Sequence, residues 1–204
     1  MVKTSLQAAE AIHFAYRNTL AIPLEVLGFV KNNIRTHNPD HLSAMIYYSA
    51  LAGCFDNDLW GLYEMQIART NICKIMGLMS LLKTCEGFAL RPGDNFEVFD
   101  RVQGVLDEKI DLEMCGVKEL ASFVHCFTVV DHVTKPFFDK LIDKVYDLRK
   151  DLTSDVAVKV LWSLSVCGYK DHLTRFCIKV IEENRNHLSP CENRHFRWAM
   201  SNLR

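Results

Sequence analysis

The sequence predicts an all-α fold: an α-solenoid of about five helix-turn-helix repeats of 35–40 residues, closed by a C-terminal capping helix. Three observations predict it. The stretches "VKELASFVHC", ending at Cys126, and "VKVLWSLSVC", ending at Cys167, share Val, Lys, Leu, Ser and Cys at the same five places, 41 residues apart, and "DHVTK" at Asp131 returns as "DHLTR" at Asp171. Amphipathic segments begin near Leu24, Leu59, Phe96, Val133 and Leu173, at spacings of 35, 37, 37 and 40. No run alternates with period two for long enough to form a sheet, whereas "PFFDKLIDKVYDLRK" puts Phe138, Leu141, Ile142, Val145 and Leu148 on one helical face and Lys and Asp on the other.

One array over residues 1–204 is expected, with repeats at about 4–36, 38–70, 71–109, 112–150 and 152–187 and a terminal helix at 190–204. In each repeat the first helix is nearly all apolar or small, so it belongs between neighbours. The second is charged on one side and faces water there. Four first segments end in Cys ("MIYYSALAGC", "MGLMSLLKTC" and the two above), so Cys54, Cys85, Cys126 and Cys167 are expected in equivalent buried places. The breaks carry helix-start chemistry. Asn38 reads as an N-cap before Pro39, and Ser189, Pro190 and Glu192 form a capping box. Phe196, Trp198, Ala199 and Leu203 are placed to cover the last repeat's apolar flank.

Composition bounds the function. The chain is 49% hydrophobic and 24% charged, with a net charge of −1, so it can bury a core and is not a basic module. No apolar run reaches the ~18 residues a membrane span needs, and no membrane insertion is expected. The opening helix holds Lys3 and Arg17 against Glu10, a mitochondrial-presequence flavour, but reads first as an ordinary amphipathic helix. Eight Cys without a CxxC read as small buried hydrophobes in a reducing compartment.

The stretch "VKVLWSLSVCGYKDHLTRFCIKVIEE" resembles the helical repeats of the octotricopeptide and heptatricopeptide type found in FAST-kinase-like and RAP-domain proteins. Val160, Leu161, Trp162, Ser163 and Leu164, then Gly168 and Tyr169, then Asp171, His172 and Leu173 carry the match. In the fourth repeat Phe127 to Val130 stand where the Gly-aromatic break would be. The resemblance spans about residues 40–187. It implies an organellar, mitochondrial location and a role with RNA, such as a mitoribosomal or RNA-processing subunit. No RAP domain is recognisable, and the chain is short and not basic. These departures point to a subunit of a larger assembly, contacting RNA, protein neighbours or both. A scaffold that touches only protein is the alternative.

Lys74, Lys118 and Lys159, read as recurring on apolar first helices, are the candidate RNA contacts; the bland reading is snorkelling near a helix start. His187, Cys191 and His195 are spaced four and four, but Pro190 starts a new helix between them, so no metal is expected. Asp131-His132 and Asp171-His172 recur at one break, as turn and cap residues do. No P-loop, GxSxG, HExxH or dinucleotide fingerprint is present, so neither catalysis nor a cofactor is expected. A degenerate enzyme whose site residues are scattered is the runner-up. Tyr47, Tyr48, Trp60 and Tyr63 are read as core ahead of a docking patch.

Overall fold

The computed structural model describes residues 2–91, 93, 95–109 and 115–203. Among them it has twelve α-helices, three single 3-10 turns and no strand. The protein is all-α, and its packing is that of a helical-repeat fold. The helices are α1 (Ser5–Arg17), α2 (Leu24–Asn33), α3 (Pro39–Leu51), α4 (Asn57–Arg69), α5 (Ile72–Ile75), α6 (Leu78–Leu90), α7 (Phe96–Lys109), α8 (Val117–Val129), α9 (Lys135–Asp147), α10 (Ser154–Val166), α11 (His172–Glu183) and α12 (Pro190–Asn202). The start of the fourth repeat, expected at 112, lies outside the described residues. The chain divides into two compact units, residues 1–110 and 111–204.

In the first unit α1, α3 and α6 pack side by side, and α2, α4 and α7 form the second layer. Local chemistry starts the helices where the sequence says. Asn38 Oδ1 accepts from Asp40 N at 2.9 Å with Pro39 in the first turn, and Asp56 Oδ1 accepts from Leu59 N at 2.9 Å. Trp60 and Tyr63 are fully buried on α4, with their rings edge to face at 5.5 Å, as a core role requires. Tyr47 and Tyr48 stay half-exposed, and Tyr48 stacks on His13 at 4.2 Å. Helices α3 and α6 meet most closely at Gly87, where a Cβ would lie 2.7 Å from Ile46 Cγ2 and 3.1 Å from the Ile46 backbone.

In the second unit α8, α10 and α12 form one layer, with α9 against α8 and α11 against α10. The cores of α8 and α10 are apolar: Leu120, Phe123, Val124 and Phe127 on one, Val160, Leu161 and Leu164 on the other. Helix α9 buries Phe138, Leu141, Ile142 and Val145, while Leu148 is half-exposed at its end. The capping box of α12 is present, with Ser189 N donating to Glu192 Oε2 at 2.6 Å and Glu192 N to Ser189 Oγ at 3.3 Å. Phe196 and Ala199 are buried, but Trp198 points outward. Helix α12 therefore holds the place that a first helix would take in a further repeat.

The repeat register differs from the one the phrases suggest. Helices α1, α3, α6, α8, α10 and α12 are each 13 residues long. Val117 of α8 and Ser154 of α10 are both first residues, 37 apart, so the 41-residue match is slipped by four, one helical turn. The four Cys are consequently not equivalent. Cys85 and Cys126 are buried within α6 and α8, while Cys54 and Cys167 are half-exposed past the ends of α3 and α10.

What recurs is a left-handed residue after the helix. Thr19, Gly53, Asp131 and Gly168 have φ of 52°, 66°, 54° and 76°, one place beyond the caps of α1, α3, α8 and α10. The next residue's N–H returns to the helix: Leu20 to Ala15 O at 2.8 Å, Cys54 to Ser49 O at 2.9 Å, His132 to Phe127 O at 3.0 Å and Tyr169 to Leu164 O at 2.9 Å. This is the Schellman closure. Asp131-His132, not Phe127 to Val130, therefore fills the Gly168-Tyr169 place. Asp171 is an N-cap accepting from Thr174 N at 2.9 Å, so the two Asp-His pairs serve different positions. Helix α6 ends otherwise, with Arg91 extended and its guanidinium over Trp60 at 5.4 Å.

Two outcomes follow from this packing. Gly87→Ala should lower stability by about 1–2 kcal/mol, because overpacking against the Ile46 backbone exceeds the gain in helix propensity; thermal unfolding reads it. Lys31 Nζ of α2 lies 2.9 Å from the Asp56 carboxylate of α4. That contact first, and the Leu59 amide second, hold the Asp56 carboxyl below its ordinary 3.8. A depressed carboxyl stabilises the fold above the ordinary value and loses that contribution as pH falls through the folded one. The difference in melting temperature between parent and Asp56→Asn should therefore be full at neutral pH and shrink as the medium is acidified below 3.8.

Candidate functional site

One face of the α8–α10–α12 layer, part exposed and part buried, carries one stripe per helix. On α10 it runs Asp155, Lys159, Trp162 and Val166, spaced four, three and four as one helical face demands. On α12 the same places are Cys191, His195, Trp198 and Asn202; on α8 they are Lys118, Ser122, His125 and Val129. Adjacent helices set the ninth residues side by side. His125 meets Trp162 edge to face at 5.1 Å, and Trp162 lies 5.9 Å from Trp198 and 6.3 Å from His195. Trp198 is 45% exposed.

Electrostatics set the protonation of this row. Burial against Trp162 first, then Lys159 and His195, push the His125 imidazole down to about 4. It is neutral at neutral pH, and its Nδ1 is enclosed without a hydrogen-bond partner among the described residues. Asp155 is held below the ordinary carboxylate value by the Thr153 hydroxyl, at 2.5 Å, with Lys118 a smaller contributor.

The three expected lysines divide. Lys159 is exposed beside His125 and Trp162. Lys118 is exposed too, but it stands at the second place of α8, opposite Asp155, and not at the place of Lys159. Lys74 is not on a first helix; it lies on the one-turn α5 that precedes α6, in the other compact unit. His187 sits in the 3-10 turn before α12, while Cys191 and His195 are on the helix. Among the described residues no three His, Cys, Asp or Glu side chains are grouped to hold a metal ion.

His125, Trp162, His195 and Trp198 are what sequence reasoning missed as a group. The usable signal was the Lys-x-x-Trp and His-x-x-Trp spacing, with the two Trp 36 residues apart. Matching places on the first unit hold His13, Tyr47 and Glu86, and there His13 and Tyr16 both stack on Tyr48, at 4.2 and 5.9 Å. Among the described residues no helix is long and apolar enough to cross a membrane. Neither protein-family models nor curated proteins match this chain.

The His125 environment makes an acid-sensitivity prediction. The folded state stays unprotonated between its ordinary 6.5 and about 4 while the unfolded chain takes up a proton. Stability should fall as pH drops through that interval. In His125→Gln that part of the pH dependence should disappear, as measured by denaturant unfolding at pH 7, 5.5 and 4.

Proposed function

We propose that this protein is a non-enzymatic helical-repeat subunit of an organellar, mitochondrial ribonucleoprotein, related to the octotricopeptide and heptatricopeptide repeats it resembles, and that it contacts RNA through the α8–α10–α12 face. The observation that carries the reading is the row His125, Trp162 and Trp198 with Lys159 beside it. Stacking a base on an exposed indole contributes about 1–3 kcal/mol, needs no particular sequence and needs few cations. That suits a unit whose residues 111–204 hold 14 basic and 13 acidic side chains. Phosphate contacts alone would require a much larger basic excess.

A protein-only scaffold is the second reading, favoured by a different observation. Around the α1–α2 turn Phe14 and Leu24 are 62% and 85% exposed, with Leu20 and Phe55 also outside. Apolar surface of this kind is what a protein neighbour covers.

Ultraviolet crosslinking in cells, followed by titration of single-stranded RNA onto the purified chain, separates the two. Trp162→Ala with Trp198→Ala should weaken RNA binding about ten-fold or more at unchanged salt dependence. Lys159→Ala should weaken it less and flatten the salt dependence by about one counterion. Lys74→Ala should do nothing. If no RNA crosslinks and partner proteins survive ribonuclease, the scaffold reading replaces the RNA reading.

A further inference from the structure

A second site lies away from that face, where the α8–α9 and α10–α11 turns come together. A cavity of about 480 Å³ opens there, lined by Thr128, Asp131, Val133 and Lys135 from one turn and by Val166, Cys167, Gly168 and Tyr169 from the other. The volume is in the range of small-molecule sites.

Its polar groups divide into those the fold uses and those it does not. The Thr128 hydroxyl donates to Val124 O at 2.8 Å, and the Tyr169 hydroxyl donates to Asp139. The Asp131 carboxylate and the Lys135 ammonium have no hydrogen bond or ion pair to any described residue, each other included. Both are exposed side chains on the α8–α9 side of the cavity, so that side offers one acid and one base to a ligand. Val133 and the exposed Val166 add an apolar wall.

Asp131 also holds this place at a cost to the backbone. Its φ is 54°, and the same place after α3 and α10 is glycine, Gly53 and Gly168. A side chain in the left-handed region is disfavoured where glycine is not. Thr19 holds the same place after α1 with φ 52°, so the turn accepts a non-glycine residue there, and Asp is among those that tolerate it.

We propose that this cavity binds a small zwitterion of amino-acid or dipeptide size, its ammonium on Asp131, its carboxylate on Lys135 and its apolar side chain against Val133 and Val166. An acid and a base that line one cavity fit a ligand that carries both charges, and each blocked analogue of that ligand would leave one of them unmatched.

Calorimetric titration of the full chain with L-leucine and with the dipeptide Ala-Leu tests this, with N-acetyl-leucine and leucinamide as the singly blocked forms. Saturable binding of one zwitterion is expected, with both blocked forms about ten-fold weaker or worse, as the loss of one charged contact implies. Asp131→Asn, which keeps a side chain tolerated in the left-handed region, and Lys135→Met should each weaken the zwitterion by a similar factor. Asp131→Gly should lose binding while melting no lower than the parent, a combination that a purely structural residue would not give. The proposal is overturned if neither zwitterion binds saturably, if the blocked forms bind as well, or if Asp131→Asn leaves affinity unchanged; an Asp131→Gly melting point below the parent's would remove the argument from backbone cost.

Discussion

The left-handed residue that closes each Schellman turn is the constraint on which the repeats depend. A 13-residue helix leaves its last carbonyls without intrahelical donors. In α1, α3, α8 and α10 the second residue past the cap returns its N–H to the third-last carbonyl, which stops the helix and reverses the chain in one step. The N-cap of the following helix then comes three or four residues after the left-handed one, at Pro23, Asp56, Thr134 and Asp171. A fixed helix length followed by a fixed turn produces the same helix pair each time. It also brings the ninth residues of α8, α10 and α12 into one row. Where the closure is missing, after α6, a different device appears: Asn95 Nδ2 donates to Phe88 O at 3.1 Å and Gly93 O at 3.3 Å.

That constraint also explains which parts of the fold could be read from residues. The helix pairs, the Asn38 cap and the Ser189 capping box were legible, because caps and amphipathic faces rest on short-range chemistry. The register was not. Four residues make about one turn, so a phrase slipped by four still presents nearly the same face, and residue matching alone prefers the richer 41-residue coincidence to the true 37. Only the turn breaks this degeneracy, and half of its members are disguised. Gly53 and Gly168 announce a left-handed position; Thr19 and Asp131 at the same place do not. The one-turn α5 was missed because four residues carry no periodicity.

Recurrence of a residue is ambiguous in the same way. A residue that returns in every repeat is first of all answering a packing requirement, and Lys118 and Lys159 recur only in the slipped register. The aromatic row recurs as a position while its residue changes: His13, Tyr47, Glu86, His125, Trp162 and Trp198 are all ninth residues of first helices. On α8, α10 and α12 these side chains meet each other across adjacent helices. A reading that looks for repeated letters passes over them; one that first fixes the turns and then compares positions finds them.

The two surfaces of the second unit differ in what they ask of the backbone. The Trp162–Trp198 row sits on regular helix, where any side chain is tolerated, so its chemistry costs the fold little. Asp131 sits in the turn itself, at the left-handed place that Gly53 and Gly168 hold in two other turns and Thr19 in a third. The indole row has the chemistry of a broad contact surface, and the cavity, with one acid and one base in its lining, that of a small one.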